Sequence, residues 1–145
     1  MLRLSNLADY GVVVMTAAAH AADTGTLVSA TDVTAQTGIP GPTVAKLLGQ
    51  LGRAGLLQSW RGVAGGFGLA RDAADISLAD IVEAIDGPIA LTHCARSETD
   101  CDLSDGCAVR PHWEPVNRAV RTALSGVSLA TLIRREPAAS AEICA

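Results

Sequence analysis

The chain opens with apolar residues at helical spacing, a pattern typical of a helix with one buried face. Ser5 or Asn6 stands where a capping residue is expected, and Asp9 falls in the first turn, where the helix dipole favours a carboxylate. The sequence ADTGT at 22–26 ends the helix. The apolar positions of this predicted helix are Tyr10, Val13, Val14 and Ala17.

Two further helical segments follow. The first, residues 29–38, starts with Ser and Thr, contains Val33 and Ala35 and closes at Gly38. The second, IPGPTVAKLLGQLGRAGLL, has Pro42 in its first turn and ends at Gly55. One face of this second helix is apolar and the opposite face is polar; the apolar residues are Val44, Leu47, Leu48 and Leu51, and the polar residues are Thr43, Lys46, Gln50 and Arg53.

Two short helices joined by a Gly-containing turn form the helix-turn-helix pattern, whose second helix enters the major groove of DNA. An ordinary helical hairpin with a solvated polar face is the alternative. The next residues, LLQSWRGVAGGFGLAR, predict a β-hairpin with a Gly-rich tip, and this order is that of a winged helix. Arg61, at the start of the turn, is placed for a phosphate or the minor groove, or else is a solvated charge. Together these features favour DNA binding.

The second half of the chain predicts three more helices. Ser77 caps a segment that Gly87-Pro88 stops, and its apolar face is Leu78, Ile81, Val82 and Ile85. PHWEPVNRAVRTAL then predicts a late amphipathic helix with Trp113, Val116, Val120 and Leu124 on one face. A second subunit could cover that face in a coiled-coil-like seam, or the helix could pack on its own domain. SLATLIRRE adds a short final helix.

Composition agrees with a mainly helical protein of one domain, or of a small domain with an oligomerisation element. The 145 residues are 49% hydrophobic, and with only 3% aromatic residues the core is supplied by Ala, Val and Leu. The formal charge of −4 gives no overall basic signal for nucleic acid. Residues 1–71 carry five basic and three acidic side chains, whereas residues 72–145 carry six and twelve, a weak asymmetry.

The sequence predicts a cytoplasmic protein that does not bind a membrane. No run approaches the roughly 20 apolar residues of a bilayer-spanning helix. The stretch YGVVVMTAAAHAA follows Asp9 directly and is better interpreted as a buried helix than as a signal peptide. In that compartment clustered cysteines bind metal or sense redox state more often than they form structural disulfides.

The segment CARSETDCDLSDGC holds Cys94, Cys101 and Cys107 at spacings of x6 and x5. Zinc is not favoured, because zinc sites usually take close pairs such as C-x2-C. A nucleophilic thiol is not favoured either, since the acidic neighbours raise a thiol pKa. A reversible disulfide switch remains open. An iron–sulfur cluster is the other open option, because widely spaced thiolates can wrap it. Cys144 is interpreted as a bystander thiol.

Four motifs in order resemble the IscR/NsrR/RirA family of bacterial winged-helix regulators: LRLSNLADYGVVVM, the helix-turn-helix with RGVAGGFGL, SLADIVEAIDG and the three-cysteine loop. The similarity covers residues 1–134, and the opening residues and NRAVRTAL look closest to the branch that regulates SUF-system iron–sulfur assembly. The resemblance implies a winged-helix DNA-binding domain (1–88), a cysteine-rich cluster-binding loop (89–110) and a dimerisation helix with a short final helix (111–135), and the residues beyond them (136–145) predict a flexible tail.

The family resemblance also implies a ligand set. Cys94, Cys101 and Cys107 would be the thiolates of a 2Fe–2S or 4Fe–4S cluster. NsrR-like members take the fourth ligand from an aspartate in the first helix of the other subunit, and Asp9 stands at that position. IscR-like members use a histidine two residues past the third cysteine, whereas His112 here is five residues past it. We favour Asp9 and keep His112 as the alternative.

On the DNA side, Arg61 matches the arginine of the family's wing, and Thr43 and Lys46 match its recognition helix. Contacts of Lys46, Arg53 and Arg61 to phosphates would position the domain, while Thr43 and Gln50 are candidates for base edges. Pro40, Pro42 and Ala45 replace more polar residues of IscR-like members, so base preference does not carry over.

The resemblance implies a non-enzymatic homodimer on a pseudo-palindromic operator in double-stranded DNA. We expect a transcriptional regulator, a repressor of iron–sulfur assembly or iron-responsive genes that senses through a labile cluster. The alternatives are a winged-helix regulator with a thiol/disulfide or zinc switch, and a small iron–sulfur redox protein. The redox protein is disfavoured, because the sequence has no motif for a nucleotide, a flavin or a phosphate.

Overall fold

The computed structural model of the chain describes residues 3–92 and 106–134. Most of this part is helical, with one antiparallel hairpin between the third and fourth helices. The helices are α1 (Asn6–Asp23), α2 (Ala30–Thr37), α3 (Gly41–Arg53), α4 (Leu78–Asp86), α5 (Arg110–Ser125) and α6 (Leu129–Ile133), and the strands are β1 (Leu57–Trp60) and β2 (Gly66–Leu69). A single 3-10 turn, Ala73–Asp75, precedes α4. The mainly helical fold class is confirmed.

Helix α1 begins where the sequence predicts. Ser5 is its N-cap, and the hydroxyl oxygen of Ser5 accepts the N–H of Ala8 at 2.9 Å. Val14 and Ala17 are buried, whereas Tyr10 lies at the edge of the buried face and is 38% exposed. The helix packs against α3, α4, α6 and β2 and therefore lies at the centre of the core.

Helices α2 and α3 form the predicted helix-turn-helix. Ser29 and Asp32 close a capping box at the start of α2, and Gly38 ends the helix with φ +76°, a left-handed conformation that favours glycine. Val33 is the buried residue of α2, while Ala35 is exposed. In α3 the predicted apolar face is confirmed: Val44, Leu47, Leu48 and Leu51 are all buried.

The predicted β-hairpin is also present and is attached to the helix-turn-helix. Strands β1 and β2 pair antiparallel, with Leu57 opposite Leu69 and Trp60 opposite Gly66. Val28, just before α2, forms an isolated bridge to Phe67, with N–H···O distances of 2.9 and 2.7 Å in the two directions. A Cβ on Gly66 would lie 2.9 Å from the Val28 carbonyl oxygen, so glycine allows this close approach. The hairpin is therefore a wing held against the start of α2.

The short final helix packs into the same core as α1 and α3. Leu129 is fully buried, and its N–H donates to the Ile76 carbonyl at 2.8 Å. The Leu78 N–H donates to the Val127 carbonyl at 2.8 Å. The residues before α4 and before α6 thus pair with each other. This pairing fixes where the long helix α5 ends.

Helix α4 starts at a second capping box, formed by Ser77 and Asp80, and ends at Gly87, as predicted. Helix α5 has prolines at Pro111, in its first turn, and at Pro115, inside the helix. The Pro115 nitrogen carries no hydrogen to donate, so the first turns of α5 rest on fewer internal bonds than the rest. No helix within residues 3–92 and 106–134 has the length and apolar character needed to cross a membrane.

Candidate nucleic-acid interface and cysteine site

The outer face of α3 lies opposite the four residues that the helix buries. Lys46 and Arg53 are exposed and lie opposite that buried face, as predicted. Pro42 and Gly49 lie between and beside them on the same face. The centre of this face thus combines two cationic side chains with a proline and a glycine, which extend little or not at all from the helix surface. Such a surface can approach a DNA groove closely and contact phosphates from its edges.

The two candidate base-reading residues occupy the flank of α3 rather than its outermost line. Thr43 and Gln50 are both half-buried, and seven residues separate them, so they lie on the same side of the helix. The side-chain oxygen Oε1 of Gln50 is shielded from solvent and has no hydrogen-bond partner among the described residues. A base contact by Gln50 would therefore need a different rotamer.

The tip of the wing presents Arg61 to solvent. The turn from Arg61 to Gly65 is closed by a hydrogen bond from the Gly65 N–H to the Gly62 carbonyl at 3.0 Å. Gly62 has φ +110°, and a Cβ on Gly65 would collide with the Trp60 carbonyl oxygen. The two glycines therefore fix the turn that displays Arg61 and the fully exposed Val63.

Gly49 and Val63 were not predicted as part of this surface. The position of Gly49 follows from the sequence, because it lies opposite the centre of the Val44, Leu47, Leu48 and Leu51 face on a helical projection. Val63 had no comparable signal, since one apolar residue in a turn is common on protein surfaces. Its exposure depends on how the turn closes.

The cysteine site is described only in part. Cys107 is a free, half-buried thiol directly before α5, whereas Cys94 and Cys101 lie outside the described residues. Asp9 and His112 are exposed, Asp9 in the first turn of α1 and His112 in the first turn of α5. Within residues 3–92 and 106–134 no three His, Cys, Asp or Glu side chains come together as a metal site. The proposed ligand set therefore stays a prediction.

The apolar face of α5 is divided between its own domain and solvent. Val120 and Leu124 are half-buried and line a pocket of about 270 Å³ together with Val82 of α4. Val116 and Val109 are 42% and 54% exposed. Of the two predicted alternatives for this helix, packing on its own domain holds for the C-terminal half of the face. The exposed residues form an apolar stripe at the N-terminal end of the helix.

A helix-turn-helix followed by a hairpin wing and bearing outward cationic side chains is a winged-helix DNA-binding fold. The family model described as "Rrf2: Iron-dependent Transcriptional regulator" matches residues 4–135. The chain belongs to this Rrf2 family of transcriptional regulators. Its relatives are regulators and not enzymes, as predicted.

Relatives and solved structures agree with that assignment. The HTH-type transcriptional regulator IscR of Xenorhabdus nematophila is 29% identical over 135 residues, which cover 93% of this chain and 81% of IscR. The structure of CymR, the global cysteine regulator of B. subtilis, is 25% identical with a TM-score of 0.71 and covers 92% of this chain and 97% of CymR. The structure of T. potens IscR is 27% identical with a TM-score of 0.68, covering 91% of this chain and 86% of that one. The predicted family and the winged-helix fold are confirmed.

Proposed function

We propose that this regulator is a homodimeric repressor of iron–sulfur assembly or iron-responsive genes that senses its signal through an iron–sulfur cluster. The observation that carries the sensing part is the group of three cysteines within fourteen residues, immediately before α5. The IscR relatives and the family description, which names iron, support the same assignment.

The donor set fits such a cluster. Thiolates are the ligands that iron–sulfur clusters take, and three of them leave one position for an oxygen or nitrogen ligand. Cys107 is free and half-buried, so its sulfur is neither paired with a described cysteine nor fully exposed to solvent. Cys94, Cys101 and Cys107 would hold the cluster. When bound, it would supply a centre whose loss or damage reports iron supply or redox state.

The fourth ligand would come from Asp9 of a second subunit, with His112 as the alternative. The exposed first turn of α1 leaves the Asp9 carboxylate accessible to another chain. His112 is exposed as well, but it sits inside the first turn of α5, beyond Pro111. Its helical position limits how far its ring can move towards Cys107.

DNA binding in this proposal uses both parts of the winged helix. Lys46, Arg53 and Arg61 would contact phosphates, and Thr43, with Gln50 in another rotamer, would reach base edges. Each subunit offers few cations and the whole chain has a net charge of −4. Strong binding to a pseudo-palindromic operator therefore requires two subunits, each on one half-site.

The test is purification without air, followed by counting iron and acid-labile sulfide per subunit. We expect visible absorbance in the wild-type protein and its loss in Cys101→Ala, because two thiolates no longer satisfy the cluster. Cys144→Ala is the matched control and should keep its colour. Zinc without sulfide, or a disulfide in place of metal, would instead support the thiol/disulfide or zinc switch.

The same preparation tests the fourth ligand. Asp9→Ala should shorten the lifetime of the absorbance in air, whereas His112→Ala should leave that lifetime at the wild-type value. The reverse result would assign the position to His112. DNA affinity measured before and after removal of the cluster then tests the sensing function itself.

A further inference from the structure

Residues 87–92, which we call the approach segment, run from the end of α4 towards the first cysteine. Cys94 follows Leu91 by three residues. The N–H of Leu91 donates to the side-chain oxygen Oδ1 of Asn117, in the middle of α5, at 2.9 Å. This bond is partly buried and joins positions 26 residues apart in the sequence. Leu91, three residues before the first thiol, is thus hydrogen-bonded to the helix that follows the cysteine segment.

A second contact holds the same segment from the other side. Glu83 of α4 receives two hydrogen bonds from the Arg121 guanidinium, at 2.9 and 3.1 Å. The Glu83 side chain is only 24% exposed, and its Oε1 also lies 3.5 Å from the N–H of Ile89. The hydrogen bonds to Glu83, and then the negative charge of that carboxylate, raise the pKa of Arg121, so the guanidinium stays charged. We call Glu83, Asn117 and Arg121 the clasp.

The clasp holds the residues before the first cysteine against the middle of α5, and the third cysteine lies just before the start of the same helix. At the far end of the cysteine segment, the Cys107 carbonyl accepts the Arg110 N–H at 3.3 Å, in the first turn of α5. Asn117 is seven residues further on, which is about 10 Å along a helix. Leu91 and Cys107, which flank the remaining cysteines in the sequence, are therefore both held against α5, Leu91 by Asn117.

The approach segment also forms part of the wall of the pocket beside α5. Ile89 and Leu91 line the pocket of about 270 Å³ that Val120 and Leu124 line from α5. This pocket is continuous with the apolar face of α5 that, under the proposed function, a second subunit covers. A shift of the approach segment would therefore alter the surface on which the two subunits meet.

We infer that Asn117, supported by the Glu83–Arg121 pair, is a positioning residue that couples the cysteine segment to the subunit interface and so to DNA affinity. This inference rests on the proposed function. Asn117 is neither one of the proposed cluster ligands nor one of the proposed DNA-contacting residues. It acts through its hydrogen bond to Leu91. Replacing it therefore changes how much the state of the thiols alters DNA affinity, rather than DNA binding itself.

The experiment compares Asn117→Leu with Asn117→Asp in the full chain. Leucine has nearly the size of asparagine but no acceptor, while aspartate keeps the acceptor, and Arg121 four residues along compensates its charge. The matched control is Arg118→Ala, on the same helix, whose arginine donates to the Glu114 carboxylate at 2.6 Å and is not part of the clasp. Hydrogen exchange at the Leu91 amide should become faster in Asn117→Leu alone.

The decisive measurement is a ratio of two DNA dissociation constants, with and without the cluster. The probe is a duplex that the wild-type protein selects from a random-sequence pool. If the wild-type protein holds no cluster, the two states are reduced and diamide-oxidised chain. We expect the ratio in Asn117→Leu to move towards one by about fivefold, the usual effect of one hydrogen bond. Asn117→Asp and Arg118→Ala should keep the wild-type ratio.

A merely structural role for Asn117 would lower the melting temperature and weaken both affinities equally, leaving the ratio unchanged; that result would overturn the inference. Arg121→Gln tests the clasp without altering Asn117 and should also move the ratio towards one. A wild-type ratio of one would defeat the sensing proposal itself, and it is recognised from the wild-type protein alone.

Discussion

Ser29 and Asp32 illustrate how single residues set the start of the DNA-binding unit. The Asp32 carboxylate accepts the Ser29 hydroxyl at 2.6 Å and the Ser29 N–H at 2.9 Å. These hydrogen bonds, with that of the Ser29 side chain the stronger influence, lower the pKa of Asp32 below its ordinary value of 3.8. The ionised form is thus favoured in the folded state, and its contribution to stability is present above pH 3.8 and is lost as the pH falls through the lowered value.

Replacing Ser29 by Ala should therefore have two effects. The free energy of unfolding should fall by about 1 kcal/mol, the typical effect of losing an N-cap hydroxyl. The pKa of Asp32 should rise towards 3.8, because the hydrogen bond from the Ser29 hydroxyl, which lowers this pKa most, is gone. Urea unfolding and NMR titration of the Asp32 carboxyl measure these quantities. Thr31→Ala, exposed in the same helix, is the control; equal stability of the two variants would contradict the capping role.

At the scale of single elements, the wing shows how backbone geometry displays a functional side chain. Strand pairing ends at Trp60 and Gly66. In the turn between them, a Cβ at Gly65 would collide with backbone atoms. The hairpin is anchored by the Val28–Phe67 bridge, which lies at the base of the wing and not at its tip. The tip can therefore be disturbed without loosening the helices.

Gly65→Ala should change the turn and displace Arg61 while leaving the core intact. We expect DNA affinity to fall about as far as in Arg61→Ala, because both changes remove the same contact, and helical content to stay at the wild-type value. Fluorescence anisotropy with labelled duplex DNA and far-UV circular dichroism check the two expectations. Ala64→Ser, one residue earlier in the turn, should bind DNA normally. If Gly65→Ala did so too, Arg61 would have no role at the tip.

For the whole molecule, the question is how a chain with few cations binds DNA. The exposed apolar stripe formed by Val116 on α5 and Val109 just before it is the surface that a second subunit would cover. Under the proposed function, two subunits would bring six cations to one operator, two copies each of Lys46, Arg53 and Arg61. Six phosphate contacts predict a slope of about −5 for the logarithm of affinity against the logarithm of salt concentration, and a single subunit predicts about half of that.

Val116→Glu should separate the subunits, because it places a charge in the centre of the seam and touches nothing in the buried core. We expect a folded monomer in sedimentation experiments, with weak DNA binding and the shallower salt slope. Thr122→Glu adds the same charge on the opposite side of α5 and should stay dimeric. A dimeric Val116→Glu variant would place the interface elsewhere.

Much of the fold follows from the sequence, because helix caps, turn glycines and the buried faces of α3 and α4 are local signals. Ser5, Ser29 and Ser77 each begin the helix that the sequence predicts, and Gly38 and Gly87 end theirs. The order of these motifs was enough to predict a winged-helix regulator of this family. The candidate cysteine site can also be picked out from the sequence alone, since three cysteines in fourteen residues need no fold to be recognised, but its chemistry stays a prediction.

Contacts between distant residues were decided only by the tertiary structure. The bond from Leu91 to Asn117 and the pairing of Glu83 with Arg121 join positions 26 and 38 residues apart, and no local pattern encodes either contact. The same holds for the bridge from Val28 to Phe67 and for the half-buried position of Gln50. Local propensities depend on near neighbours in the chain. These contacts form between elements that are distant in the sequence, so they depend on how those elements pack around the core.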